Sequence, residues 1–299
     1  MSVQARLVPL AWIALGSAGC VSTTAPPPAS APLPPVSAAP KPVANVAPDL
    51  FALQGALTQG GLLLGTAPSG TTSLTLDGKP VRLGPGKRFL IGFGREAGVR
   101  AVIEAQLANG ERIRSELQIK PRTWDIQSIP TLARGTTPTP EFLARRKIEL
   151  ARIEAARAIA SDSHGWEQHF QWPVTGRISG VFGSQRIYAG EPGAPHAGVD
   201  IARPEGTPVA APADGVVVLV AAAPFTLEGR LLMIDHGMGL NSAFLHLSRI
   251  DVVEGQRVTR GQVVGAIGMT GRATGPHLHW GMKWDDVRID PQLLAGAMP

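Results

Sequence analysis

The chain has 299 residues with 35 glycines, 27 prolines and only 17% charged residues, which excludes a coiled coil; 44% hydrophobic residues exclude disorder throughout. Its single cysteine, Cys20, excludes an intramolecular disulfide framework and a Cys-ligated zinc finger, so any metal site must be built from His and carboxylate. The formal charge of +5 is dispersed, with no basic stripe interleaved with aromatics, so nucleic acid is not expected as a partner.

Arg6 precedes an apolar or small stretch, Leu7 to Gly19, that is broken by Pro9 and too short to span a bilayer core of about 30 Å. Residues 1–20 therefore read as a secretory signal peptide. The stretch ends Ser17-Ala18-Gly19-Cys20, which resembles the bacterial lipobox, in which small residues precede a cysteine that becomes lipidated. Ser17 departs from the pattern, where Leu is usual. The expectation is a periplasmic protein held to the outer membrane by a lipid on Cys20, with a soluble periplasmic or secreted protein as the alternative. Residues 21–48 hold nine prolines and seven alanines, the composition of a disordered, extended tether.

From residue 49 to 122 short apolar runs alternate with turn signals, the best being Asp77-Gly78 and Asn109-Gly110. This predicts a small antiparallel β sandwich or barrel. It contains no His, so a packing or positioning module is expected. Residues 123–169 form a linker around a helix at about 140–160, opened by the N-cap Thr139, Pro140 at the first helical position and Glu141 in the first turn. Ile148, Ala151, Ala155 and Ile159 make a narrow apolar stripe, and the helix's charged residues are expected on solvated faces.

The segment 170–299 carries the chemistry. Five of the seven histidines lie between His196 and His279, while His164 and His169 sit at the helix exit and are expected on the surface. In Pro195-His196-Ala197-Gly198-Val199-Asp200 a loop feeding a strand can turn His196 and Asp200 toward one point. In Pro276-His277-Leu278-His279-Trp280 the two imidazoles project from one face of a strand, so one can bind a metal while the other faces a substrate. Two His and one Asp are three ligands of a zinc centre that keeps a fourth position for water. The motifs His-Glu-x-x-His and Gly-x-Ser-x-Gly and a phosphate-binding Gly-Lys-Ser/Thr loop are absent.

These residues, with Asp235-His236-Gly237-Met238-Gly239, His246-Leu247-Ser248 and the loop Gly268 to Gly275, resemble the M23 family of zinc metallopeptidases, the LytM or lysostaphin-type peptidoglycan endopeptidases. The match runs from about Trp172 to Pro291 and includes Gly180-Val181-Phe182-Gly183. The resemblance implies a mainly β chain ending in a LytM-like catalytic domain of the duplicated hybrid type. It implies one Zn²⁺ on His196, Asp200 and His279, with His246 and His277 as the remaining active-site histidines. It also implies an enzyme that hydrolyses peptide cross-links of peptidoglycan. Tyr188, the only Tyr, is the candidate phenol for an oxyanion, and His236 is expected to be structural. Phe244 replaces the family's usual Tyr. The alternatives are an inactive relative that regulates other wall hydrolases and a wall-tethering lipoprotein.

Overall fold

The structure, a computed structural model, describes residues 43–45, 48–131 and 138–299, so the expected signal peptide, Cys20 and nearly all of the Pro-rich segment lie outside the described residues. The chain opens with β1 (Val43–Asn45), β2 (Gln54–Gly55), β3 (Leu62–Thr66), β4 (Thr71–Leu76), β5 (Lys79–Val81), β6 (Arg88–Gly92), β7 (Arg100–Leu107) and β8 (Arg112–Gln118). They form a five-stranded sheet in the order β1-β8-β7-β4-β5 and a three-stranded sheet β2-β3-β6. The backbone of β1, at the end of the Pro-rich segment, runs parallel to β8. Asp77 and Gly78 both have positive φ, 48° and 76°, the geometry of a two-residue hairpin between β4 and β5. At Asn109-Gly110 only the glycine is left-handed, with φ 85°, and the longer turn is closed by Leu107 N–H on Glu111 O at 2.8 Å.

After β9 (Ile126–Ile129) comes α1 (Pro140–Arg157). Thr139 caps it by accepting from Phe142 N–H, as its sequence predicts. The buried face is not the expected stripe. Ile148 and Ile159 are exposed, and the helix instead buries Glu149, Ile153 and Ala156 against Val218, Phe225, Leu231 and Met233. Glu149 can be buried because Thr226 N–H, Thr226 Oγ1, Arg145 and Arg146 donate to its carboxylate, at distances from 2.5 to 3.3 Å. Those hydrogen bonds outweigh burial and hold its pKa below the usual value. The charged residues expected on a solvated face are thus partly a clamp on the chain around Thr226.

The remainder holds β10 (Arg177–Gly180), β11 (Gln185–Tyr188), β12 (Glu191–Pro192), β13 (Gly198–Ala202), β14 (Pro208–Ala210), β15 (Gly215–Phe225), β16 (Gly229–Asp235) and β17 (Leu240–Leu247). It continues with β18 (Arg249–Ile250), β19 (Arg257–Val258), β20 (Val263–Ala266), β21 (His277–Trp284), β22 (Val287–Ile289) and α2 (Pro291–Ala295). The main sheet runs β10-β13-β21-β17-β16-β15-β19, with β22 on β21. β21 shows why it is a strand: Leu278, Trp280, Met282 and Trp284 alternate into the core while His277, His279, Gly281 and Lys283 take the other face.

One apolar core runs through both β-rich parts, joining Phe51, Leu90 and Ile103 to Val199, Leu278 and Trp280. Gly92 lies against Ile289 and Trp284, where a Cβ would come within 2.8 Å of Ile289 Cδ1. The buried Asp290 accepts from Arg122 Nη1 at 2.8 Å and caps α2 through Gln292 N–H at 3.0 Å. The described part of the chain is therefore mainly β, as its composition and turn signals predict.

Candidate metal centre

The centre lies where β13 and β21 pair. Asp200 is opposite His279 and Ala202 opposite His277 in an antiparallel register, so the carboxylate and an imidazole share one face as direct cross-strand neighbours. His196 enters from the loop before β13. Its Nε2 lies 3.1 Å from Asp200 Oδ1 and 3.0 Å from His279 Nδ1, and His279 Nδ1 lies 2.8 Å from Asp200 Oδ1. Gly198 permits this approach, because a Cβ there would sit 2.9 Å from His279 Nε2 and overlap the Trp280 carbonyl.

The loop between β10 and β11 fixes His196 at three points. Its Nδ1 lies 3.1 Å from Val181 O, its N–H donates to Ser184 O at 2.8 Å, and its carbonyl accepts from Gly183 N–H at 2.9 Å. A carbonyl only accepts, so the His196 proton is on Nδ1 and Nε2 presents a lone pair toward Asp200. Two acceptors facing each other at 3.1 Å fit a cation between them. Adjacent ligand atoms of a tetrahedral zinc with bonds of 2.0–2.1 Å lie about 3.3 Å apart, close to the three separations here. The donor set thus fits zinc, and among the described residues His196, Asp200 and His279 are the group able to hold a metal.

Burial alone would raise the Asp200 pKa, but the adjoining imidazoles of His196 and His279 outweigh it and hold the carboxyl far below the usual range. Burial likewise opposes charge on His196, yet Asp200 raises its pKa. His279 is lowered, burial being the largest cause.

His246 and His277 stand beside this group, their ring centroids 4.8 Å apart. Each has Nδ1 tied to a backbone carbonyl, Thr270 O and Gly275 O respectively, both at 2.8 Å, so that Nε2 is the ring nitrogen not held by these carbonyls. His277 Nε2 is 3.9 Å from Asp200 Oδ1. Burial depresses the His246 pKa to about 4, so it is neutral at pH 7. The His246 backbone is held in turn: its N–H donates to Glu228 O at 2.8 Å, and the Glu228 carboxylate is gripped by Arg146 of α1 at 2.5 and 2.7 Å.

The other expectations divide. Tyr188 closes β11 in the small sheet β12-β11-β9, beside Gly193, and makes no hydrogen bond to the centre among the described residues. His236 is fully buried, with Nδ1 2.8 Å from Asp214 O and Nε2 2.8 Å from Ser242 Oγ, a structural role. His164 and His169 are exposed. Sequence reasoning missed the residues that brace the His196 loop from outside the catalytic segment. Arg95 Nε donates to Gly183 O at 2.8 Å, and Trp124 packs edge-on to Phe182, 5.9 Å between centroids, over Gly183. Only Gly180-Val181-Phe182-Gly183 signalled that loop, and nothing in the sequence pairs it with Trp124.

Residues 194–291, which contain all five clustered residues, match the family model described as Peptidase family M23. A crystal structure assigned to peptidase M23 from Pseudomonas aeruginosa is 32% identical, with a TM-score of 0.61 over 80% of this chain and 95% of that one. Among curated proteins, peptidoglycan DD-endopeptidase ShyA of Vibrio cholerae is 47% identical over 35% of this chain and 24% of its own length. DD-carboxypeptidase/endopeptidase Mpg of Neisseria meningitidis is 39% identical over the same 35% and 24% shares. The chain thus spans about a quarter of the length of these curated relatives. With a relative of that identity matched over nearly its whole length and a cluster in the family's segment, the chain belongs to peptidase family M23.

Proposed function

We propose that the chain is a zinc-dependent endopeptidase that hydrolyses peptide cross-links of peptidoglycan. The observation that carries this reading is the convergence of His196 Nε2, Asp200 Oδ1 and His279 Nδ1 within 3.1 Å of one another, beside two imidazoles whose Nδ1 atoms are already committed. One Zn²⁺ held by those three atoms would supply Lewis acidity at the scissile carbonyl and lower the pKa of a water from about 16 toward 7. The chain's own residues handle the proton. His246, neutral at pH 7, offers its Nε2 lone pair to the attacking water, and His277 stands 4.8 Å away, ring to ring, to share the transfer to the leaving amine. The same imidazoles, once protonated, donate toward the developing oxyanion. The names of ShyA and Mpg support a peptidoglycan peptide as substrate.

An enzyme of this kind works in the cell envelope, and the lipobox-like Ser17 to Cys20 supports anchoring through a lipid on Cys20. Loss of palmitate labelling in Cys20→Ala is the expected outcome, and an unlabelled native protein would exclude the anchor. For the activity, purified sacculi are digested with zinc-loaded protein, with and without chelator, and the muropeptides are weighed by mass spectrometry. Cross-linked dimers should disappear only without chelator. Dimers that survive zinc-loaded protein would overturn hydrolysis in favour of a regulatory role.

A further inference from the structure

Beside the metal centre, the face of β21 that carries His279 and Lys283 continues under α1. There it meets α1 and β17 in a cavity of about 120 Å³. Its polar lining is unusual in one respect. Arg157 and Asn241 both line this cavity, and each has a buried polar atom, the donor Arg157 Nε and the acceptor Asn241 Oδ1, that lacks a hydrogen-bond partner among the described residues. Leaving such a group buried without a partner is costly, so two of them in one small space indicate that something else satisfies them.

The charge around them is positive. Arg157 and Arg288 line the same cavity and are close enough for Arg288 to depress the Arg157 pKa, second only to burial. Neither forms an ion pair among the described residues. Lys283 is paired with Asp286 at 3.1 Å, and the carboxylate in the lining, Glu228, is already taken by both terminal nitrogens of Arg146. Two like charges brought together over a buried donor, with the lining carboxylate Glu228 already committed to Arg146, make a site for an anion. The buried Asn241 carbonyl adds a requirement, since it needs an N–H close to that anion.

A carboxylate next to an N–H is the chemistry of a terminal or branch residue of a peptide. We infer that this cavity is a specificity subsite that takes a free carboxylate of the stem peptide. Arg157 and Arg288 bind the carboxylate, and Asn241 Oδ1 accepts the neighbouring N–H. The identity of this ligand rests on the endopeptidase reading. Successive residues on one face of a strand are about 7 Å apart, so Gly281 and Lys283 set the subsite roughly two to four extended residues from His279 at the metal centre. The peptide would run along β21, its scissile bond at His279 and its carboxylate under α1. α1 would then have a substrate-binding role at its C-terminal end through Arg157, while Arg146 near its start holds Glu228.

The test separates binding from turnover. Its probe is a synthetic cross-linked stem-peptide dimer with free carboxylates, compared with the same dimer bearing carboxamides. Binding is measured by calorimetry on the full chain carrying His246→Ala, and turnover on the wild-type chain with zinc. The free carboxylate form is expected to bind about tenfold tighter, the effect of one charge-assisted contact. That preference should vanish in Arg288→Met, an exposed position that does not threaten folding, and in Arg157→Met, with zinc content unchanged in both. Equal binding of the two dimers, or a preference that survives both substitutions, overturns the subsite. Intact binding preference with no turnover of either dimer refutes the endopeptidase reading and leaves the subsite standing.

Discussion

His236 makes the chain's stability depend on pH in a window that the structure defines. The side chain is fully buried between Asp214 O and Ser242 Oγ, and burial, opposed only in part by the Asp214 carbonyl, lowers its pKa from 6.5 to about 4. In the unfolded chain the imidazole recovers its ordinary value and binds a proton below about 6.5. The unfolded state therefore binds more protons than the native state between those two values, and stability falls as pH falls through them. At about 1.4 kcal/mol per pH unit the full loss is about 3 kcal/mol, complete near pH 4 and absent above pH 7. Urea unfolding of the wild type and of His236→Gln, each at pH 7.5, 6, 5 and 4, checks this. The glutamine keeps a donor for Asp214 O but does not titrate, and other acid-sensitive groups cancel in the comparison. The two stability curves should converge by about 3 kcal/mol toward pH 4. Parallel curves over that range would show that His236 is not buried as a neutral base.

The braces around the centre yield further expectations. Gly183→Ala places a Cβ on the Trp124 ring at a residue with φ +80°, and should lower zinc affinity at least tenfold while the protein stays folded, read by metal content against a chelator series and by circular dichroism. Unaltered zinc affinity in folded Gly183→Ala would remove the His196 loop's supporting role. Glu149→Ala leaves Arg146 short of one partner in a buried network and should cost about 3 kcal/mol in urea unfolding, and a loss under about 1 kcal/mol contradicts the clamp. Asp200→Asn should abolish zinc binding, whereas His246→Ala should keep zinc stoichiometric and lower kcat at least a hundredfold on cross-linked muropeptides. Wild-type-like kcat in His246→Ala would take that imidazole out of the proton path.

Much of the centre was legible because its spacing has only one local meaning. His277-x-His279 in an alternating strand puts both rings on one face, and the structure has that alternation without a break to Trp284. Asp77-Gly78 likewise could be read as a turn from backbone preference alone. The α1 face was not legible, since the apolar positions Ile148, Ala151, Ala155 and Ile159 compete with a network whose partners, Thr226 and Glu228, lie some 80 residues away. Hydrophobic periodicity counts Glu149 as polar and places it in water. Four hydrogen bonds from three side chains and one backbone N–H place it inside.

His246 illustrates why a motif can identify a residue without placing it. In β17 the side chains of Leu240, Ser242 and Phe244 are fully buried at alternate positions, and strict alternation would send His246 into the core with them. The structure instead gives His246 a left-handed backbone, φ 65°, a conformation that costs a non-glycine residue on the order of 1–2 kcal/mol. The strain is held in place by Glu228 O on its N–H and by Thr270, whose carbonyl takes Nδ1. Glu228 in turn is held by Arg146, so the salt bridge from α1 reaches the backbone of His246 through one intermediate residue. The helix that joins the two β-rich parts is thereby part of what keeps His246 turned out of the core and toward His277, 4.8 Å away between ring centroids, the arrangement on which the proposed proton transfer depends.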